Sequence, residues 1–430
     1  MRLLYLTAGA ADMYCGSCLR DNALAAALKA RGHDVVLMPV YTPTRTDEAN
    51  VSESRVFFGG ISVYLQQHVP FLRRTPAALD RLWDATPVLR LASKRQIKVD
   101  PSLLGRMTVS MLRGAEGNQA KEVDKLQQWL ATEPRFDVVN LPFTLLIGLA
   151  KPLRQRLGVP IACTLQGEDL FLEQLGEPWK ADALALIRRA VTDVDVFMAV
   201  SDYYRTFMSG YLGIGPGRIR TVPLGITLQG HATRPVRRVP PFTVGYFGRI
   251  APEKGLHLLA DAYRRLRARM EDVPMRLLAG GYLLDEHRGY FADVTRKMGQ
   301  WGLGQEFRYA GAPDRAGKIA LLHEMDVFSM PATYDEPKGL SVLEAMANGV
   351  PVVQPRRGAF TEIVERTGGG LLVPPDDPDA LAEALQALLA DRTRAEALGA
   401  AGAAGIRQHY DVARMAETAE AVYRELAPPC

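Results

Sequence analysis

The chain has 430 residues, 47% of them hydrophobic and 23% charged, with a formal net charge of +4. That make-up gives enough material for two or three domains and excludes the disordered and fibrous classes. Four cysteines make no disulfide framework, the apolar start before Asp12 is too short for a signal peptide, and residues 143–150, the most apolar later run, fall far below the roughly 20 needed to span a bilayer, so a cytoplasmic protein is expected.

Residues 3–7 are a continuous apolar run and predict a strand. A glycine-bearing loop follows, then Leu19, Ala23, Leu24, Ala27 and Leu28 at helical spacing, then Gly32 and a second strand over 34–40, which together make a βαβ opening. In its loop, Tyr14-Cys15-Gly16-Ser17-Cys18 has the form of a thioredoxin-type redox motif at a helix start. A thioredoxin domain needs its own fold, whereas these residues lie in the first loop of a larger sheet, so an acceptor-loop or packing role is expected. A zinc site needs two further ligands, and Cys163 and Cys430 are single and remote.

Between Arg73 and Arg113 nine basic residues stand against three acids, a local excess larger than the charge of the whole chain. With Trp83, Leu89, Leu91, Ile97, Leu103, Leu104 and Met107 interleaved, the segment reads either as an amphipathic surface or as the solvated basic face of ordinary helices. The first reading adds a peripheral contact with the inner face of a membrane, or with a charged acceptor. Nucleic acid is not expected, because no recognition motif accompanies the charge. Strands over 137–141, 160–165 and 195–201 come next, each short, apolar and flanked by helical stretches, the pattern of a parallel sheet covered on both faces. Gly213-Ile-Gly-Pro-Gly217 fails the dinucleotide spacing, and Pro216 marks a loop before a strand at 219–222. Residues 223–241 are rich in Pro, Gly, Thr and Arg and carry no periodicity, which marks a domain boundary.

The second half opens with a strand over 243–247, followed by Gly248-Arg249-Ile-Ala-Pro-Glu-Lys254-Gly255 and a helix marked by Leu256, Leu259, Ala260 and Tyr263. Both cations therefore sit at a strand-to-helix turn, where fixed positive charge stabilises an anion, most of all one that gains charge in a reaction. Strands over 275–279, 306–310, 327–330, 350–354 and 370–373 continue the alternation, so the expected fold is α/β with two doubly wound, Rossmann-like domains. Between two of these strands stands Glu336-Pro-Lys-Gly-Leu-Ser-Val-Leu-Glu344. Gly339 frees a turn, a helix begins near Leu340, and it stops at Gly349 before Pro351. The helix start, with Lys338, Gly339, Leu340 and Ser341, offers backbone N–H groups to an anion such as a phosphate. Glu344, about one turn in, leans toward that end and suits a pair of ribose hydroxyls. Glu336, in the preceding loop, reaches the opposite side of the same ligand, where a sugar would sit. A last helix over 411–425 carries Val412, Met415, Ala416, Ala419 and Val422 on one face.

The two glutamates with seven residues between them closely resemble the signature of the retaining glycosyltransferases of family four, which have the GT-B fold. The resemblance implies two Rossmann-like domains facing across a cleft, 1–225 on the acceptor side and 226–407 for the nucleotide sugar, with 408–430 as a helix returning to the first domain. It implies a retaining, metal-independent hexosyltransferase that moves a sugar from a nucleotide sugar to a hydroxyl-bearing acceptor, a glycan, a lipid-linked acceptor or a small molecule. Glu336 then lies by the donor sugar and diphosphate, Glu344 on the ribose, and Arg249 and Lys254 clamp the diphosphate, with Gly248 beside them. Lys338 replaces a common Phe of the family. In the first domain Gly16 answers to one glycine of a Gly-Gly pair, with Cys15 in place of the other. Gln166, followed by Gly167, Glu168 and Asp169, stands where many relatives carry His-Gly-x-Asp. An amide there orients a sugar hydroxyl but cannot carry a proton near neutral pH, so Gln166 and Asp169 are the acceptor- or sugar-side candidates.

On this reading no cofactor or metal is required. The seven histidines show no ligand spacing. A UDP sugar is the first expectation for the donor and GDP-mannose the second, since in this family the base is often read by main-chain atoms, here around 309–313. The acceptor is set by loops such as 57–68 and by the basic segment. Two other readings remain: an inert nucleotide-sugar-binding protein of the same fold, favoured by Gln166 and Cys15, and a sugar phosphorylase.

Overall fold

The computed structural model describes residues 1–9, 15–58, 66–67, 101–233 and 238–427. Residues 73–100 of the basic segment, most of the 57–68 loop, Tyr14 and Cys430 lie outside them. The chain forms two compact units: residues 1–200, 204–222 and 416–430 in the first, 201–203 and 223–415 in the second.

In the first unit β1 (Arg2–Thr7), β2 (Asp34–Pro39), β3 (Val138–Leu141), β4 (Ile161–Leu165), β5 (Val196–Ala199) and β6 (Ile219–Thr221) form a parallel sheet in the order β2-β1-β3-β4-β5-β6. Leu3, Leu4, Tyr5 and Leu6 are buried in succession, as a strand covered by helices on both faces requires. The order reverses between β1 and β3, and loops at such a point open a crevice at the carboxyl ends of the strands. The helix Gly16–Ala30 buries Ala23, Leu24 and Leu28 of its expected apolar face, but Leu19 is half-buried and Arg20, Asp21 and Asn22 are buried as well. Residues 144–149, within the most apolar run, form a 3-10 turn that leads into the helix Ala150–Leu157.

The second unit holds β7 (Phe242–Phe247), β8 (Met275–Gly280), β9 (Phe307–Tyr309), β10 (Val327–Phe328), β11 (Val352–Pro355) and β12 (Gly370–Val373), parallel and ordered β12-β11-β10-β7-β8-β9. This is the Rossmann order, with its reversal between β7 and β10. Val244, Leu277, Val327, Val352 and Phe360 lie in one buried core, each contributing about 1.5–3 kcal/mol by leaving water. The sheet was expected to take up residue 350, but β11 starts at Val352 because Pro351 has no N–H to donate; its carbonyl still accepts from Phe328 at 3.0 Å.

The last helix, Val412–Leu426, starts in the second unit and ends in the first. At its start the Val412 N–H donates to the Ile226 carbonyl at 3.0 Å. Further along, within the first unit, Glu420 accepts from Arg31 Nε at 2.5 Å and stands 3.3 Å from His33 Nε2. Ala416, Ala419, Val422 and Tyr423 are buried along the same stretch. Among the described residues no helix is long and apolar enough to cross a membrane.

Candidate functional site

The second unit brings its charged residues together where β7 and β10 end. After β7 the chain passes through Gly248, where a Cβ would stand 2.9 Å from Met330 Sδ, and reaches Arg249. Pro252–Lys254 form a 3-10 turn, and Gly255, at φ +75°, starts the helix Leu256–Arg269. A side chain at Gly255 would place its Cβ 1.8 Å from the Pro331 carbonyl oxygen. Thr333 N–H also donates to the Glu253 carbonyl at 2.9 Å. The loop after β7 is thereby pressed against the loop after β10, and this contact brings Lys254 to Glu336.

Lys254 Nζ lies 2.6 Å from Glu336 Oε2 and 2.5 Å from the Tyr334 hydroxyl, 4.8 Å from the centre of that ring. Tyr334 donates to the same Glu336 oxygen. The Glu336 side chain is only 5% exposed. Burial pushes its carboxyl up, but the Lys254 charge and hydrogen bond, then Tyr334 and Lys338, more than offset this and hold it at about 2. Burial and the neighbouring Glu336 raise the Tyr334 phenol well above its ordinary range, so it remains a donor. The Lys338 and Gly339 N–H groups face Glu336 Oε1 at 3.3 and 3.5 Å.

Gly339, at φ +68°, turns the chain into the helix Leu340–Ala347, as the sequence predicts. Ser341 Oγ lies 3.4 Å from Met330 Sδ, the atom that also abuts Gly248. Glu344 forms a second ion pair, 2.5 Å from Lys318 Nζ, with both side chains less than a tenth exposed. Lys318 belongs to the helix Arg315–His323, which Asp314 caps by accepting from Gly317 N–H at 2.8 Å. Arg249 is not drawn into the Lys254–Glu336 pair; its guanidinium meets Glu253, and its side chain is 40% exposed.

Gly16, Gln166 and Asp169 all belong to the first unit. Gly16 heads the helix Gly16–Ala30, behind Cys15 as its N-cap. Gln166 follows β4 and its Nε2 donates to the Pro142 carbonyl at 2.8 Å and to Asp21 Oδ1 at 3.4 Å. Asp169 accepts from the Tyr204 hydroxyl at 2.7 Å. Around Asp21 gather Arg20 Nη1 at 3.2 Å, Thr7 Oγ1 at 3.1 Å and the Tyr5 hydroxyl at 3.3 Å. Burial lifts the Asp21 carboxyl to about 6 against the opposing Arg20 charge. Sequence reasoning passed over this network, and over Tyr334 and Lys318. One signal was present for Lys318: it occupies the buried stripe of its helix with Leu321 and Leu322, at i, i+3 and i+4, where an apolar residue is the rule.

The second-unit arrangement combines an exposed guanidinium, a largely covered ammonium and two shielded carboxylates around a helix start. It can hold a polyanion on one side and hydroxyl groups on the other. Among the described residues no group of three or more His, Cys, Asp or Glu side chains gathers as metal ligands.

Residues 234–404 match the family described as "Glycosyl transferases group 1", and residues 22–225 the "Glycosyl transferase 4-like domain". The chain is 33% identical over 234 residues to a phosphatidyl-myo-inositol mannosyltransferase of Mycobacterium leprae, a match covering 54% of this chain and 59% of that protein. It is 30% identical over 275 residues to a GDP-mannose-dependent alpha-(1-6)-phosphatidylinositol monomannoside mannosyltransferase of Mycolicibacterium smegmatis, over 60% of this chain and 68% of that one. Its fold is similar to the sucrose-phosphate synthase of Thermosynechococcus elongatus, with a TM-score of 0.71 at 18% identity over 99% and 98% of the two chains.

Proposed function

The chain belongs to the family-four glycosyltransferases, of GT-B fold, and from that premise we propose that it transfers a hexose from a nucleoside diphosphate sugar to a hydroxyl-bearing acceptor, with retention of anomeric configuration and without a metal ion. The observation that carries this is the Lys254–Glu336–Tyr334 cluster at the carboxyl ends of β7 and β10. An ammonium has three donors. Glu336 and Tyr334 take two of Lys254's, which leaves the third for a phosphate oxygen.

In this reading Arg249, exposed and carrying five donors, grips the diphosphate with Lys254, and the two cations stabilise the charge that the leaving group gains. Gly248, Lys338, Gly339, Leu340 and Ser341 form the cradle around it, and Gly16, at its own helix start, is the first unit's candidate for close backbone approach to a ligand. Glu336, kept ionised, accepts from a hydroxyl of the donor sugar, and Glu344, oriented by Lys318, accepts from the ribose. The acceptor attacks on the leaving-group face and its proton passes to the departing phosphate. Gln166 and Asp169 orient sugar or acceptor hydroxyls, and neither is asked to move a proton.

GDP-mannose becomes the first choice of donor, ahead of a UDP sugar, because a 30%-identical relative is described as GDP-mannose-dependent. The relatives named for phosphatidylinositol acceptors favour a lipid-linked hydroxyl, and a peripheral contact at the inner membrane face through residues 73–113 would serve it. Incubation with a panel of nucleotide sugars, reading nucleoside diphosphate release with and without acceptor extracts, tests the proposal. Release from GDP-mannose is expected. Tight binding of every donor without release would support the inert reading, and phosphate-dependent sugar 1-phosphate formation the phosphorylase.

A further inference from the structure

Sugar transfer leaves the cysteine pair of the first unit without a task. We propose that Cys15 and Cys18 form a thiol–disulfide exchange site for low-molecular-weight disulfides, with Cys15 the sulfur that meets the reagent and Cys18 the one that closes the intramolecular bond.

The geometry separates the two roles. Cys15 is the N-cap of the helix Gly16–Ala30, extended at φ −111° and ψ 125°, and its side chain makes no cap hydrogen bond to the helix backbone. Cys18 lies at the third helical position, the one over which an N-cap side chain folds. The Cys18 thiol hydrogen-bonds the Cys15 sulfur. With the Cys15 side chain lying over that position the two sulfurs face each other, and a disulfide closes once their Cβ atoms stand about 3.5–4.5 Å apart. Cys15 is half-exposed, whereas Cys18 is 0% exposed. The helix is 15 residues long with no acidic side chain in its first turn, so the half-exposed sulfur stands at the positive end of an uncompensated helix dipole. The Cys15 contact, burial and Asp21 keep Cys18 protonated. Cys163, buried in β4 with its thiol 3.7 Å from the Thr164 carbonyl oxygen, lacks the exposure and, among the described residues, is bonded to no other sulfur.

The exchange balances without a metal. Cys15 thiolate attacks one sulfur of the small disulfide, the S–S bond breaks, and the first thiolate leaves and takes up a proton. Cys18 then gives up its proton and attacks the Cys15 sulfur of the mixed disulfide, expelling the second thiol. Two electrons pass from the protein dithiol to the reagent, which ends as two thiols.

The test uses the reduced full chain equilibrated with mixtures of glutathione and glutathione disulfide, acid quenching, alkylation and peptide mass mapping. A Cys15–Cys18 disulfide is expected in wild type, and Cys163 stays reduced. Cys18→Ser should stall as a Cys15–glutathione adduct, and Cys15→Ser should leave Cys18 unmodified. Absence of the intramolecular bond in wild type under oxidising mixtures overturns the proposal, as does glutathionylation of Cys18 as fast as Cys15. Wild type alone decides the first point, so a variant that folds poorly does not shelter the idea. The readout is mass, independent of any sugar transfer, so failure here and failure of the transferase reading are separate results.

Discussion

Where β7 and β10 end, the cations stand within reach of solvent: the Arg249 side chain is 40% exposed and that of Lys254 16%. Where β1, β3 and β4 end in the other sheet, the Arg20 side chain is 0% exposed, bonded to Tyr5 at 2.7 Å and to Asp21, and its Nε and Nη2 have no hydrogen-bond partner among the described residues. The two sheets share a topological device, a reversal of strand order, yet one surrounds it with charge that can change partners and the other with charge that is locked in. Topology supplies the place; burial decides whether a charge there meets a ligand or fixes a loop.

The contrast predicts opposite phenotypes for two arginines. Arg20→Met should cost about 3–5 kcal/mol of stability, because it leaves Asp21 buried without its counter-charge; chemical denaturation measures this, and an unchanged midpoint with lost turnover would place Arg20 with the reacting groups instead. Arg249→Ala should leave the melting temperature within a degree or so, since exposed pairs contribute roughly 0–1 kcal/mol, while cutting turnover at least ~100-fold, about 2.7 kcal/mol of barrier. A full rate in steady-state assays would remove it from the diphosphate clamp.

Two carboxyls sharpen the contrast by titrating with opposite sign. Glu336, depressed from 4.5 to about 2, supports the fold above pH 4.5 and loses that support as pH falls toward 2. Asp21, raised from 3.8 to about 6, favours the fold while protonated, so its contribution is full below pH 3.8 and fades as pH rises to 6. Each effect is on the order of 3 kcal/mol. Melting curves against pH should lose the acid-side decline in Glu336→Gln and the decline from about 4 to 6 in Asp21→Asn; a wild-type-like profile for either variant would refute that assignment. The smallest effect is expected for Asp314→Ala, which removes the N-cap of the helix carrying Lys318 and should lower stability by about 1 kcal/mol in the same denaturation experiment. A loss of nucleotide affinity much larger than this would mean that the Lys318–Glu344 pair depends on the cap for its position.

The alternation of apolar runs with helical spacing made both sheets legible, and Gly339, Gly349 and Pro351 bracketed the short helix closely. Arg249, Lys254, Glu336 and Glu344 were legible because glycines and prolines frame them at fixed intervals. Their partners were not. Tyr334 reaches Lys254 from 80 residues away in sequence, and Lys318 reaches Glu344 from a separate helix, contacts that exist only once β7, β10 and the helix Arg315–His323 have assembled. Arg20, Asp21 and Asn22 were hidden by the apolar pattern around them: the expected inner face ran through Leu19, but the sheet's end accepts a polar network from Tyr5, Thr7 and Gln166 instead. Strand ends drifted by one or two residues where a proline or a turn took the next hydrogen bond.

The path of the final helix governs how this molecule can be divided or recombined. Since Glu420 is held by Arg31 and His33, and Tyr423 is buried in the first unit, a chimaera that exchanges second units between relatives at a single junction near residue 223 would import a foreign tail against the host's opening helix. Two junctions, near 223 and near 415, keep each half with the segment it packs against.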